Sequence, residues 1–180
     1  MSHILLCASA SVAVYKACDL ASKLTQAGHR VRTLLTPNAA RLVNPQVFEA
    51  VTGEPAASSE WDEGRRTAMD HIDNAKWAEL VVVAPASADL IGRLAHGLAG
   101  DLVGTTLLAV PARVPRLLCP AMNPTMLEHP AVARNLAQLV ADGWRLVEPG
   151  AGHMACGDVG RGRLAEPQEI VDVIAGALAR

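Results

Sequence analysis

The stretch Glu79-Leu80-Val81-Val82-Val83-Ala84-Pro85-Ala86 limits the fold more than any other part of the chain, because from Leu80 onward it is apolar at every position, rich in valine, and closed by a proline. A strand without polar alternation is buried on both faces, which calls for a parallel sheet covered by helices on each side. Other runs fit the same plan. His3 to Ala8 is a short apolar strand, followed by a helical pattern through Tyr15, Leu20 and Leu24 to Gly28. Arg30 to Thr36 reads as a second strand ending in a Thr36-Pro37-Asn38 turn signal, and Pro45 to Val51 as a short amphipathic helix ending at Gly53. Pro115 to Leu118 and Trp144 to Val147 are short strands, with helices over Ala131 to Val140 and Gln168 to Leu178. The expected class is α/β, a single-domain three-layer parallel sheet with helices on both faces, spanning residues 1–180.

Composition bears on what such a core is made of. The chain is 51% hydrophobic but holds only three Trp, one Tyr and one Phe, so Ala, Val and Leu must fill it. A formal net charge of −2 argues against a general nucleic-acid binder and leaves room for a local cationic pocket. Cys7, Cys18, Cys119 and Cys156 show no Cys-x-x-Cys spacing, and neither a secretory signal nor a bilayer-length apolar run occurs, so they read as reduced thiols in a cytoplasmic protein with no membrane partner.

Five segments carry candidate chemistry. Cys119-Pro120-Ala121-Met122-Asn123-Pro124-Thr125-Met126 reads as a turn outside the C-terminal end of a strand, where ligands bind in open α/β sheets. Prolines near Asn123 restrict the backbone, and a carboxamide so held can donate to a carboxylate while accepting from an N–H; an ordinary Asx-turn is the plainer alternative. Ser9-Ala10-Ser11 is a small-residue turn leading into a helix, suited to a phosphate or simply to capping. Ser87-Ala88-Asp89 after the central strand admits the same two readings. The irregular stretch from Glu54 to Asn74 contains His71, and a connection of that length in a compact domain is usually functional. Gly150 to Arg163 has five glycines around Cys156, Arg161 and Arg163, the composition of a flexible flap at about 150–165.

Taken together, these segments resemble the flavin-dependent cysteine decarboxylases. Pro120-Ala121-Met122-Asn123-Pro124-Thr125-Met126 is similar to their Pro-x-Met-Asn-x-x-Met substrate motif, and Met69-Asp70-His71-Ile72 with Trp77-Ala78 to their Met-x-His-Ile-x-Leu-x-x-Trp-Ala pattern. Ser9 to Lys16 resembles the first flavin-binding loop, with Ala10 where glycine is usual. Ala84 to Asp89 resembles the Pro-Ala-Ser-Ala-Asn-Thr flavin motif, with Asp89 for Asn. Ala155-Cys156-Gly157-Asp158, followed by Gly160, Gly162, Arg163 and Glu166-Pro167, matches the flap of the members that act in coenzyme A biosynthesis.

The resemblance implies a flavodoxin-like (Rossmann-like) sheet and an FMN cofactor contacted by Ser9, Ala10, Ser11, Thr36, Ala86, Ser87, Ala88 and Asp89. It implies His71, Asn123 and Cys156 as catalytic residues, with no metal. Met122, Met126 and Asn123 would face the substrate, and charge and position add Arg161 and Arg163, with Lys16, for its phosphate. The implied reaction is decarboxylation of 4′-phosphopantothenoylcysteine to 4′-phosphopantetheine through thiol oxidation, CO2 loss and re-reduction, with peptidyl-cysteine decarboxylation to an enethiol or a non-catalytic FMN-binding regulatory subunit as alternatives. In this family the flavin lies between subunits, so a homotrimer or a dodecamer of trimers is implied. Many bacterial members are fused to a ligase, and the sequence leaves open whether this one is.

Overall fold

The computed structural model describes residues 1–61, 69–155 and 157–179. In chain order its elements are β1 (His3–Ala8), α1 (Val14–Gln26), β2 (Arg30–Leu35), α2 (Pro37–Ala40), α3 (Pro45–Thr52), β3 (Ala56–Ala57), α4 (Asp70–Trp77), β4 (Leu80–Ala86), α5 (Ala88–Ala95), α6 (Leu102–Ala109), β5 (Arg116–Pro120), α7 (Pro124–Glu128), α8 (Pro130–Ala141), β6 (Trp144–Leu146), β7 (Gly150–His153), β8 (Val159–Arg163) and α9 (Pro167–Leu178).

Six strands form one sheet in the order β3-β2-β1-β4-β5-β6, every pair parallel. Leaving aside the two-residue edge strand β3, the order is the flavodoxin-like one; with it, the Rossmann one. All seven residues of β4 are buried, as the unbroken apolar run requires. The core divides by strand face. Ile4, Leu6, Val82 and Leu117 point to the layer of α1, α3 and α9, while Leu5, Cys7, Val81, Val83 and Leu118 point to that of α4, α5, α6 and α8. The expected three-layer α/β fold is what forms.

The chain reverses its direction of travel across the sheet between β1 and β4, which are hydrogen-bonded neighbours. The carboxyl ends of these two strands flank the crevice in which ligands of such sheets bind. Ser9 N and the Ser9 hydroxyl both donate to the Pro85 carbonyl, at 3.0 and 2.8 Å, and tie the two ends together.

Three local features differ from the sequence reading. Strand β5 runs through Cys119 and Pro120, since Ala86 pairs with Pro120 and the proline sits at the strand end, where the ladder needs no donor from it. Asn123 does not lie in a bare loop but caps the five-residue helix α7. The glycine-rich segment forms an antiparallel hairpin, β7 with β8, outside the main sheet.

Candidate active site

At the switch point, Ser9 is buried, and its hydroxyl accepts from Ser87 N at 2.7 Å while donating to Pro85 O. Ser87 in turn caps α5, its hydroxyl accepting from Leu90 N at 3.4 Å. Thr36 caps α2 through Ala39 N at 3.3 Å. Ser9, Thr36 and Ser87 thus end three adjacent strands on the same edge, which is how the fold gathers residues far apart in sequence. Among the described residues no non-glycine has a positive φ, so Ala10 is accommodated without backbone strain. Asp89 is turned outward and pairs with Arg93 at 3.0 Å.

Beside this crevice is a cavity of about 310 Å³, lined by Ser11, Val12 and Ala13 before α1, by Tyr15 and Lys16 in its first turn, by Ala121, Met122 and Asn123, and by the β7–β8 hairpin. The hairpin is seated on the Asn123 loop. Met122 N donates to Gly162 O at 3.0 Å. Gly162 has φ +142°, and a Cβ there would run into the Met122 carbonyl oxygen; one at Gly160 would come within 2.7 Å of Pro124 Cγ. Glycine at these two positions is what lets backbone approach backbone.

Within the cavity wall, Asn123 has a fixed orientation. Its Oδ1 accepts from Thr125 N at 2.9 Å as a helix cap, so Nδ2 is the side it presents, and Nδ2 donates to the Asp158 carboxylate. The Lys16 side chain is only 12% exposed and its Nζ pairs with Glu166 at 2.7 Å, while Arg163 Nη2 approaches the same carboxylate at 3.5 Å. That lysine holds the Glu166 carboxyl below its ordinary range.

The sequence-selected residues do not all converge. Ser11, Lys16, Met122, Asn123 and Arg163 line the cavity, together with His153, which no sequence motif singles out. Arg161 pairs instead with Glu148, and Met126 is half-exposed outside the lining. His71 stands on α4, where its Nδ1 contacts the Glu60 carboxylate, and it is not part of that cavity wall. Glu60 belongs to a second cavity of about 220 Å³, between Pro37, Trp61 and Asp101. Cys156 lies outside the described residues. Among the described cysteines Cys7, Cys18 and Cys119 are free thiols, and burial raises the pKa of Cys7 and Cys119 well above the ordinary thiol range, which marks them as inert packing groups.

A family model described as flavoprotein matches residues 1–179. The chain belongs to the flavoprotein family. Among curated relatives of this flavoprotein, the coenzyme A biosynthesis bifunctional protein CoaBC of Bacillus subtilis is 48% identical over 94% of the chain, and that of Haemophilus influenzae 42% over 93%. The chain spans about two fifths of those relatives' length, 41% and 42%. Among solved structures, a PPC decarboxylase cysteine-to-serine mutant complexed with pantothenoylaminoethenethiol superposes with TM-score 0.90 at 28% identity, covering 99% of both chains. The FMN binding protein AtHal3 superposes with TM-score 0.83 at 30% identity, covering 97% of this chain and 95% of its own.

The residues at the switch point fit a flavin nucleotide. The first turn of the 13-residue helix α1 carries no acidic residue, so a phosphate at its amino end would meet the positive end of the helix dipole without a carboxylate from that turn. Ser9, Thr36 and Ser87 add hydroxyls just after the carboxyl ends of β1, β2 and β4, and Ser11 adds one just before α1. No helix among the described residues is long and apolar enough to cross a membrane.

Proposed function

We propose that this flavoprotein decarboxylates 4′-phosphopantothenoylcysteine to 4′-phosphopantetheine with bound FMN, a step of coenzyme A biosynthesis. The observation that carries the reading is the Asn123 carboxamide, whose oxygen is spent on a helix cap and whose Nδ2 is presented as a donor in the wall of a cavity that also holds Lys16 and Arg163. A ligand with a carboxylate at one end and a phosphate at the other matches that pair of features. The relationship to CoaBC proteins and the superposition on PPC decarboxylase support the same substrate.

Loss of CO2 from an amidated cysteine leaves an electron pair with no acceptor unless the thiol carbon is first raised to a thioaldehyde. Bound FMN would supply the hydride acceptance and return that makes this oxidation level available. Ser9, Ser11, Thr36 and the 86–89 turn would hold FMN, with backbone contact from Ala10, Ala86 and Ala88 and with Asp89 at the rim. The chain's other residues bind, orient and move protons. Asn123 Nδ2 fixes the carboxylate, Met122 and Met126 pack beside the cysteinyl part, and Lys16 and Arg163 face the phosphate, with Arg161 close by on the same strand. His71 takes the proton at the thiol, and Cys156 returns one to carbon at the end.

The separation of His71 from the Asn123 cavity favours a site made from two chains. We therefore read the protein as a homotrimer, or an assembly of trimers, in which His71 of one subunit serves the Asn123 cavity of the next. A cytoplasmic location suits the substrate and the free thiols. Residues 150–165 are proposed to act as a flap over this site within one domain spanning residues 1–180.

Mass spectrometry of 4′-phosphopantothenoylcysteine after incubation with the FMN-loaded protein tests this reading. Loss of CO2 alone is expected. Loss of CO2 together with two hydrogens would indicate a peptidyl-cysteine-type enethiol product, and no mass change would overturn the reading.

A further inference from the structure

Asn123 Nδ2 is already engaged in this fold. The carboxylate it bonds belongs to Asp158, which the hairpin delivers to it: Asp158 O accepts from Met154 N at 2.8 Å, and Gly157 N donates to Met154 O at 2.9 Å across the hairpin tip. The strand beyond, β8, is locked to the Asn123 loop through Gly162 and Gly160. The chain therefore puts a carboxylate of its own on the amide that, in the function read above, a substrate carboxylate must occupy. One donor hydrogen-bonded to Asp158 is exchanged for the same donor bonded to a ligand of the same chemical type.

We propose that Asp158 is an internal competitor for the carboxylate position, displaced from Asn123 when substrate binds and returning to it as CO2 leaves. This inference rests on the decarboxylase reading and concerns the affinity of that same site. A carboxylate that departs as neutral CO2 gives up its charge-assisted bond on the way, so any net stabilisation of it in the ground state raises the barrier. Exchange against Asp158 cancels most of that stabilisation, because the bond gained by the substrate is offset by the bond lost from the flap. On the way to product the opposite happens: the leaving group releases Nδ2 and Asp158 takes it up. Asp158 is thus a positioning residue, acting through Asn123 without touching the reacting carbon.

The test uses the full FMN-loaded protein as wild type, Asp158→Ala and Asp158→Asn. Calorimetry compares two ligands: 4′-phosphopantothenoylserine, which keeps the carboxylate and has a hydroxyl in place of the thiol, and 4′-phosphopantetheine, which lacks the carboxylate. The expected result is a serine analogue bound about 5- to 10-fold more tightly by Asp158→Ala, less so by Asp158→Asn, whose amide oxygen still accepts, with 4′-phosphopantetheine unchanged. With the true substrate, KM and kcat should fall together in both variants, a pattern that simple damage to the site does not produce. The proposal is overturned if the serine analogue binds equally or more weakly in both variants, or if both ligands tighten alike. A wild type that binds the analogue yet turns over no phosphopantothenoylcysteine would overturn the decarboxylase reading instead, and the binding comparison would still decide the role of Asp158.

Discussion

The two ends of the sheet both carry arginines and carboxylates, but they are built differently. At the amino end of the strands, Trp77 stacks on His3 with ring centroids 4.6 Å apart, and the Arg32 guanidinium lies 4.2 Å from the Trp77 ring centroid on a side chain only 12% exposed. Arg32 also bonds Asp73 at 2.9 Å, and Arg30 bonds Glu54 at 2.9 Å. Charge there is used up in internal pairs around an aromatic filler. At the carboxyl end, Lys16 and Arg163 pair with Glu166 and Asn123 pairs with Asp158, yet Lys16, Arg163 and Asn123 line a cavity, and Asn123 meets Asp158 only because the hairpin is seated on the Asn123 loop. The same residue types make a structural clamp where an aromatic ring fills the space between them, and a site where that space is left open. Helix α4 joins the two ends, with His71 in its first turn and Trp77 as its last residue.

Breaking the carboxyl end should have the largest effect. Asn123→Asp replaces the presented donor by a negative charge facing a carboxylate; kcat/KM should fall by at least about 100-fold while the visible flavin spectrum is retained. Loss of the spectrum instead would move Asn123 into the cofactor site. Gly162→Ala forces a side chain against the Met122 carbonyl at φ +142° and should unseat the hairpin, costing about 10-fold in kcat/KM with little change in melting temperature. A full loss of folding would show that the hairpin is part of the core. The amino end should respond in the reverse sense. Trp77→Ala removes the His3 stack and the Arg32 contact, and denaturant unfolding should register about 2 kcal/mol of lost stability, with kcat/KM within about two-fold of wild type. Smallest of all is the acid response of Glu166→Gln. The folded-state pKa of Glu166 is depressed below its ordinary 4.5, chiefly by the Lys16 hydrogen bond, so its contribution is present above that value and lost as pH falls through the lowered one. The variant should be less stable than wild type by no more than about 0.5 kcal/mol near neutrality, because the carboxylate is exposed, and the difference should vanish in acid.

Much of the fold is legible in the sequence, though the contrast between the two ends is not. The unbroken run of β4 dictates a sheet covered on both sides, and the order of strands and helices around it follows. What escaped was structure whose signal is tertiary. Strand β3 is two alanines, which carry no strand preference and pair only because Thr33 and Leu34 are already in the sheet. The hairpin β7–β8 has glycines where a strand would show alternation, because the glycines serve close approach to the Asn123 loop. In the site, the Asn123 amide could be anticipated from its prolines, and the hydroxyl turns from their position after strands. The pairing of Asn123 with Asp158, the place of His153 in the cavity wall and the engagement of Arg161 with Glu148 depend on how the hairpin folds back, and no local pattern encodes that. Asp158 could be read as part of a motif, but its bond to a side chain 35 positions away could not.

The most direct test of the account asks whether His71 and Asn123, held apart in one chain, meet across two. His71→Asn and Asn123→Asp proteins, each inactive alone, would be unfolded together, reassembled with FMN, and assayed for CO2 release from phosphopantothenoylcysteine. If the residues serve one site from different subunits of a trimer, every mixed trimer contains one intact pair, and a random equal mixture should recover roughly a quarter of the wild-type sites. No recovery, from a mixture shown to contain mixed trimers, would mean that the two residues act within a single chain, and would contradict the account.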